Sequence, residues 1–370
     1  MVTLAKNKGI VGLDIEAGSL AATEVRVNGA PRVTGAGVMD LPSGIVREGE
    51  VTDTDALADA LKTLFGENKL SKSVRLGVAN QRVVVRTLRF PAIEASGELD
   101  AAIRFQAQDH IPMPLEQAVL EYQVVGRSTT DDGEASIDVI VVAARREMIS
   151  PLVGAMRKAG LQPLGIDLSA FALIRALAPE LSTIAPGAVP SYEDRMSGPE
   201  GGAEISTPAT LLCNLGDVTN LAVARGSVCL FTRVSPFGVE GIAQRLAERR
   251  GLTLSHARQW LAHVGLADPV ETIEGDPETV AAARDVLGEG ASKLVDELRL
   301  SLEYHGAQEG ALPVETVVAC GSGTTIPGLL ERVERELGLR VSAPHPEALA
   351  HLDAASTARL TLPYGLAIES

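Results

Sequence analysis

The sequence predicts an α/β protein built as a duplicated two-lobe fold, with an extra module inserted into the first lobe. Three observations carry this reading. A meander of short strands opens the chain at Gly9 to Leu13, Ala22 to Asn28 and Arg32 to Met39, broken by Gly, Asn and Pro. The same pattern returns roughly 200 residues later at Thr210 to Leu215, Asn220 to Arg225 and Val228 to Val234, around Gly-Asp and Arg-Gly turns. Between the two lies a block of about 80 residues with strands and helices of its own.

The elements follow in order. Asp53 caps a helix on which Leu57, Leu61 and Leu64 recur at helical spacing up to Phe65, and Val74 to Ala79 is a buried strand. In the inserted block, Val83 to Phe90 is a strand ended by Pro91, Leu99 to Ile111 a helix, and Val119 to Val125 and Ile137 to Ala143 strands. Its last helix, Glu147 to Ala159, places Met148, Leu152, Val153 and Met156 on one side. Ile166 to Leu168 is a strand end, and Ser169 caps a helix running to Leu177. Ala185 to Pro208, rich in Pro, Gly, Ser and Glu, reads as an exposed linker. The second half predicts helices at Gly238 to Arg250, Ser255 to Val264 and Pro277 to His305, a strand at Val314 to Cys320, and a helix from Ile326 to Leu337. Pro363 to Ile368 is a short apolar stretch. The division expected is 9–80 with 165–205 and 350–370 as the first-lobe base and 81–164 as the insert. The second-lobe base is 206–245 with 300–349, and 246–299 is its helical part.

Composition narrows the function. The 370 residues, 45% apolar, support more than one core. Aromatics at 3% argue against stacking platforms for single-stranded nucleic acid, and a net charge of -15 opposes both a phosphate backbone and an anionic leaflet. Nucleic acid and direct membrane insertion are therefore not expected. Cys213, Cys229 and Cys320 lack metal or redox spacing and read as packed, reduced thiols. Met1 to Lys8 runs into Gly9-Ile10-Val11-Gly12 without a signal-peptide pattern, and no window approaches the ~18 apolar residues of a membrane span. A cytoplasmic location is the expectation.

Two turns carry chemistry. A strand-to-strand turn with small residues and an acid can set backbone amides against phosphate while its carboxylate orients hydrated magnesium. Asp14-Ile15-Glu16-Ala17-Gly18-Ser19 and Asn214-Leu215-Gly216-Asp217-Val218-Thr219 both fit, each at the head of a meander. Turn conformation alone also favours Asp, Asn and Gly at such places. Gly321-Ser322-Gly323-Thr324 follows a strand and opens a helix, where backbone can approach an anion or an adenosine.

In this order the segments resemble the actin, Hsp70 and sugar-kinase superfamily. Ile111-Pro112-Met113-Pro114, Glu121-Tyr122, Gly165-Ile166-Asp167 and the run Glu297 to Tyr304 look more specifically like the PilM family of type IV pilus assembly proteins. The resemblance implies an actin-like, ribonuclease-H-like fold with an FtsA-type inserted subdomain, and ATP with Mg between the lobes. It assigns nucleotide contacts to Gly12, Asp14, Gly18, Ser19, Asp167, Gly216, Asp217, Thr219, Glu297, Gly321, Ser322 and Gly323, catalytic positions to Asp14 and Asn214, and the magnesium link to Asp14. It further implies a PilN-like inner-membrane protein whose cytoplasmic tail docks at Arg104, Gln108, Ile111 and Pro112, with other pilus platform or motor proteins as further partners. The chain would then sit at the inner membrane through its partner, with a dimer left open. An FtsA-like division protein, a type II secretion scaffold and a sugar-kinase-like phosphotransferase are the alternatives. This chain departs from the family at Glu16, where glycine is usual, at Ala21 in place of lysine and at Asn214 in place of aspartate. A carboxylate beside phosphates is unfavourable, so weak nucleotide binding and slow or absent hydrolysis are expected.

Overall fold

The computed structural model describes residues 9–27, 29–93, 96–129, 134–184, 208–308 and 310–368. Strand β1 (Ile10–Glu16) turns through Ala17-Gly18 into β2 (Ser19–Val27), which pairs with β3 (Pro31–Asp40). A small hairpin, β4 (Val46–Arg47) and β5 (Glu50–Val51), leads to α1 (Thr54–Glu67). Asp53 caps that helix by accepting from the amides of Asp55 and Ala56 at 3.1 and 2.9 Å, as its position before the Leu57/Leu61/Leu64 stripe predicts. Strand β6 (Ser73–Val78) then returns parallel to β1.

The insert follows as β7 (Val84–Pro91), α2 (Ser96–His110), β8 (Ala118–Thr129) and β9 (Ala135–Arg145). Its strands form an antiparallel sheet in the order β7-β9-β8, covered by α2. Leu88, Phe90, Ile103, Ala107, Ile111 and Val139 build a core separate from the lobes. Helix α3 (Arg146–Lys158) does not belong to it. Met148, Ile149, Leu152 and Met156 pack against α1 in the first-lobe core, so the insert proper ends near β9 rather than at residue 164. An amphipathic helix has one apolar face, and the sequence does not say which neighbour will cover it.

Strand β10 (Gln162–Leu168) lies parallel to β6 and completes a five-stranded sheet in the order β10-β6-β1-β2-β3. Helix α4 (Ser169–Ile184) follows; residues 185–207 of the expected linker lie outside the described residues. The second lobe repeats the plan: β11 (Ala209–Leu215), β12 (Thr219–Arg225), β13 (Val228–Ser235), helices α5 (Val239–Arg250), α6 (Leu254–Val264) and α7 (Pro277–Gly306), β14 (Val314–Cys320), α8 (Leu329–Leu337) and β15 (Arg340–Ser342). Its sheet order is β13-β12-β11-β14-β15. Read from the other end, this matches the first sheet strand for strand, with the same antiparallel and parallel pairs. The duplication predicted from the two meanders is therefore present in the topology. Helices α5 to α8 and the outer face of this sheet share one core, and α7 runs through the expected boundary at 299/300, so the helical part is not a separate packing unit.

Two corrections bear on the cleft. The glycine segment does not open a helix: Ser322–Thr325 is a single 3-10 turn, and α8 begins only at Leu329, after Gly328 in a left-handed conformation (φ 78°). The apolar C-terminal stretch is the end of a helix, α9 (Ala354–Ala367), with Pro363 inside it. Helices α4 and α9 lie between the sheets, where Leu173, Leu177, Leu360 and Leu366 meet Ala21 of the first lobe and Leu212 and Val318 of the second. Burial on all sides erases the polar face by which a helix is normally read.

Candidate interlobe site

Strand alternation decides what faces the seam. Val11 and Leu13 point into the outer core of the first lobe, which turns Gly12, Asp14 and Glu16 toward the second. Leu211, Cys213 and Leu215 likewise fill the outer core of the second lobe and leave Leu212 and Asn214 facing the first. Where α9 no longer separates the sheets, the two hairpin tips meet directly. Asp217 Oδ2 accepts a hydrogen bond from the Ala17 amide at 2.6 Å, and Asn214 Nδ2 donates to Glu16 Oε1 at 3.3 Å. Ser19 Oγ donates to Glu16 Oε2 at 3.3 Å, and the Val218 amide donates to Asp217 Oδ1 at 2.7 Å. Glu16 lies directly over Gly216, where an added Cβ would overlap Glu16 Oε1 and displace its side chain. The cavity left around Asp14, Glu16, Asn214 and Asp217 is about 20 Å³, room for roughly one water.

Beside it opens a larger cleft of about 400 Å³, lined by Gly18, Ser19, Ala243, Ser255, Gln259, Ala262, Ser322, Thr325 and Ile326. Its mouth is charged. Arg258 pairs with Glu240, its Nε donating to Oε2 at 2.8 Å, and its Nη2 reaches the Gly18 carbonyl at 3.4 Å. Asp40 lies within 3.9 Å of Arg258 and 3.6 Å of Arg359. Glu240, Arg258, Asp40 and Arg359 escape sequence reasoning, because nothing local marks charged residues on four separate elements as neighbours.

Of the residues expected at a nucleotide, Gly18, Ser19, Asp217 and Ser322 line the larger cleft, while Asp14 and Asn214 line the small cavity. The others serve packing. Gly12 lets β1 touch the α9 backbone, and an added Cβ there would overlap the Pro363 carbonyl oxygen. Gly321 (φ 89°) and Gly323 are closed over by Asn214 and Leu215. Thr219 is buried and donates to the Phe237 carbonyl at 2.7 Å. Asp167 forms an ion pair with Arg175, whose Nε also donates to the Gly365 carbonyl at 2.9 Å, tying β10 to α4 and α9. Glu297 pairs with Arg233 of β13 at 3.3 Å. Ile111, expected at a docking surface, is only 4% exposed in the insert core, whereas Arg104, Gln108 and Pro112 are exposed.

The carboxylates carry an electrostatic cost. Burial, then the charge of Asp217, pushes Asp14 from its ordinary 3.8 up to about 7. Glu16 is pushed well up by burial and by Asp217 and Asp14, and Asp217 is raised by burial against the opposing amides of Ala17 and Val218. Below about pH 4 Asp14 is protonated whether the chain is folded or not, and it costs nothing. As pH rises toward 7, the unfolded carboxyl has released a proton that the folded one retains, and stability falls; above that it stays at its lowest. Asp14→Asn should therefore stabilise the protein at pH 8 by about 1–2 kcal/mol, a figure reduced for the side chain's contact with cleft water, and change little at pH 4. Urea melts at the two pH values measure this, and equal shifts at both would contradict it.

Neither ATP nor its magnesium fits the hairpin tips in this arrangement. The Ala17 amide that would meet a phosphate is already bonded to Asp217, and Glu16 covers Gly216. Among the described residues no group of three or more His, Cys, Asp or Glu is arranged for a metal ion.

Two duplicated sheets of equal topology, closing on a cleft through paired hairpins, define an actin-like protein with a small α/β insert in its first lobe. Within that class, residues 12–193 match the family model for the type IV pilus assembly protein PilM. A chain of a solved PilM-PilN type IV pilus biogenesis complex superposes with a TM-score of 0.76 at 25% identity, covering 98% of this chain and 98% of that one. The ethanolamine utilization protein EutJ from Carboxydothermus hydrogenoformans follows at 0.53 and 14% identity, over 99% and 92% of the two chains, a likeness of fold alone. Residues 12–193 thus resemble the PilM family, and the fold shared with the chain of the PilM-PilN complex runs the whole length. Among the described residues no helix is long and apolar enough to cross a membrane.

Proposed function

We propose that this protein is a scaffold of the type IV pilus assembly platform, recruited to the inner membrane by the cytoplasmic tail of a PilN-like protein. The observation that carries the reading is the whole-length likeness to a chain of a PilM-PilN complex, insert included. The exposed side of α2 supplies a surface for such a tail. Arg104, Phe105 and Gln108 lie on the exposed side of the helix and Pro112 is exposed just beyond its end; Phe105 is 75% exposed, a large apolar group that water does not favour. An aromatic beside an arginine and an amide suits a short segment with apolar anchors. Catalysis has no part in this reading: hydrolysis requires a positioned water at a γ-phosphate, and the hairpin tips leave no room for that group.

The test is fluorescence polarisation with a labelled peptide copying the N-terminal cytoplasmic tail of the PilN-like protein from the same genome. The wild type should bind, and Phe105→Asp should weaken binding at least tenfold while its circular dichroism stays unchanged. Failure of the wild type to bind the peptide ends the proposal. Equal binding by Phe105→Asp moves the surface elsewhere.

A further inference from the structure

We propose that Glu16 and Asp217 fill the phosphate end of the interlobe cleft with their own carboxyl oxygens, so that the cleft rejects phosphorylated ligands and admits only ligands without phosphate. Each hairpin tip contributes one carboxylate. Asp217, from the second lobe, takes the Ala17 amide of the first at 2.6 Å, the kind of backbone donor that otherwise meets a phosphate oxygen. Glu16, from the first lobe, is held by Asn214 at 3.3 Å and Ser19 at 3.3 Å and lies over Gly216 of the second. The Ala17 and Val218 amides, the Ser19 hydroxyl and the Asn214 amide are thus bonded to the protein's own oxygens, and about 20 Å³ remains between them.

Charge acts in the same direction as space. The nearest cations are engaged, Arg258 by Glu240 and Asp40, and Arg359 by Asp40. Glu16 and Asp217 have no cation within ion-pair distance among the described residues. Burial raises the proton affinity of both, with Asp217 and Asp14 adding to it at Glu16 and Glu240 at Asp217, and a polyphosphate would add several negative charges to a site that resists its own. The rest of the cleft is different. Asp40, Glu240, Arg258 and Arg359 also line the cleft of about 400 Å³ but are paired with one another, and its remaining wall, Ala243, Ala262 and Ile326 with Ser255, Gln259 and Thr325 as polar groups, suits a ring-sized, uncharged ligand. This inference does not rest on the pilus reading, and its test is independent of it.

Adenosine and Mg·ATP serve as probes in isothermal titration calorimetry on the full chain. The wild type should bind Mg·ATP no more tightly than adenosine. Glu16→Gly combined with Asp217→Ser removes both carboxylates and should raise Mg·ATP affinity at least tenfold over wild type, leaving adenosine within about threefold. Glu16→Gln keeps shape while removing one ionisable carboxyl; it should gain less than the double variant, and it supplies the comparison should the double variant fold poorly by thermal melting. Tighter binding of Mg·ATP than of adenosine by the wild type overturns the proposal. So does a folded variant lacking the carboxylates with no gain for Mg·ATP.

Discussion

Gly12→Ala is expected to unfold the first lobe at temperatures the wild type tolerates. The new methyl would overlap the carbonyl oxygen of Pro363 and come within 2.7 Å of the Ala367 amide. Both are backbone atoms of α9, which cannot yield as a flexible side chain would. That helix buries Leu360, Leu362, Leu366 and their neighbours between the two sheets, so displacing it opens the seam along its length. Overpacking a rigid site costs about 1–3 kcal/mol, and contact with two backbone atoms places this substitution at about 3 kcal/mol or above. Gly66→Ala makes the matched control. It lies near the end of α1 with open space around it, and alanine there should be neutral or stabilising by up to ~1 kcal/mol. Urea midpoints that fall equally for both variants would show that the β1 to α9 contact has been misjudged.

Ile111→Asp should melt the insert selectively. Ile111 is packed with Ile103, Ala107 and Val139 in a core the lobes do not share. Replacing it removes a buried aliphatic group and introduces a carboxyl without a partner, a combined loss of about 3–5 kcal/mol. Hydrogen exchange is the measurement. Amides of β7, β8 and β9 should lose protection while those of β1, β6, β11 and β14 keep it. Uniform loss would mean the insert and lobe unfold as one unit. The contrast with Phe105→Asp matters for partner binding, because Ile111→Asp can abolish binding through unfolding, whereas exposed Phe105 can change only the surface.

Much of this was legible before any coordinates. The two meanders stand out because strand patterning and turn residues are local, and the topology repeats them in order. Asp53 caps α1 as its spacing implies, and α2 with three strands makes the insert. The tips carrying Asp14 and Asn214 were visible as turns, and in the structure both side chains point away from the outer cores that hold Val11, Leu13, Leu211 and Cys213. Glu16 was marked as a departure that opposes phosphate.

Sequence alone thus determined the duplicated lobes, the existence of the insert and the carboxylates at the hairpin tips, since each depends on periodicity and turn chemistry within a few residues. Tertiary structure decided that α3 packs on α1, that Gly12 is spent on α9, that Ile111 is core, and that Asp217 bonds Ala17 200 positions away. A strand's alternation says which way a side chain points but not what comes to meet it. That is set when two lobes dock, and the docking depends on shape and charge summed over elements far apart in the chain.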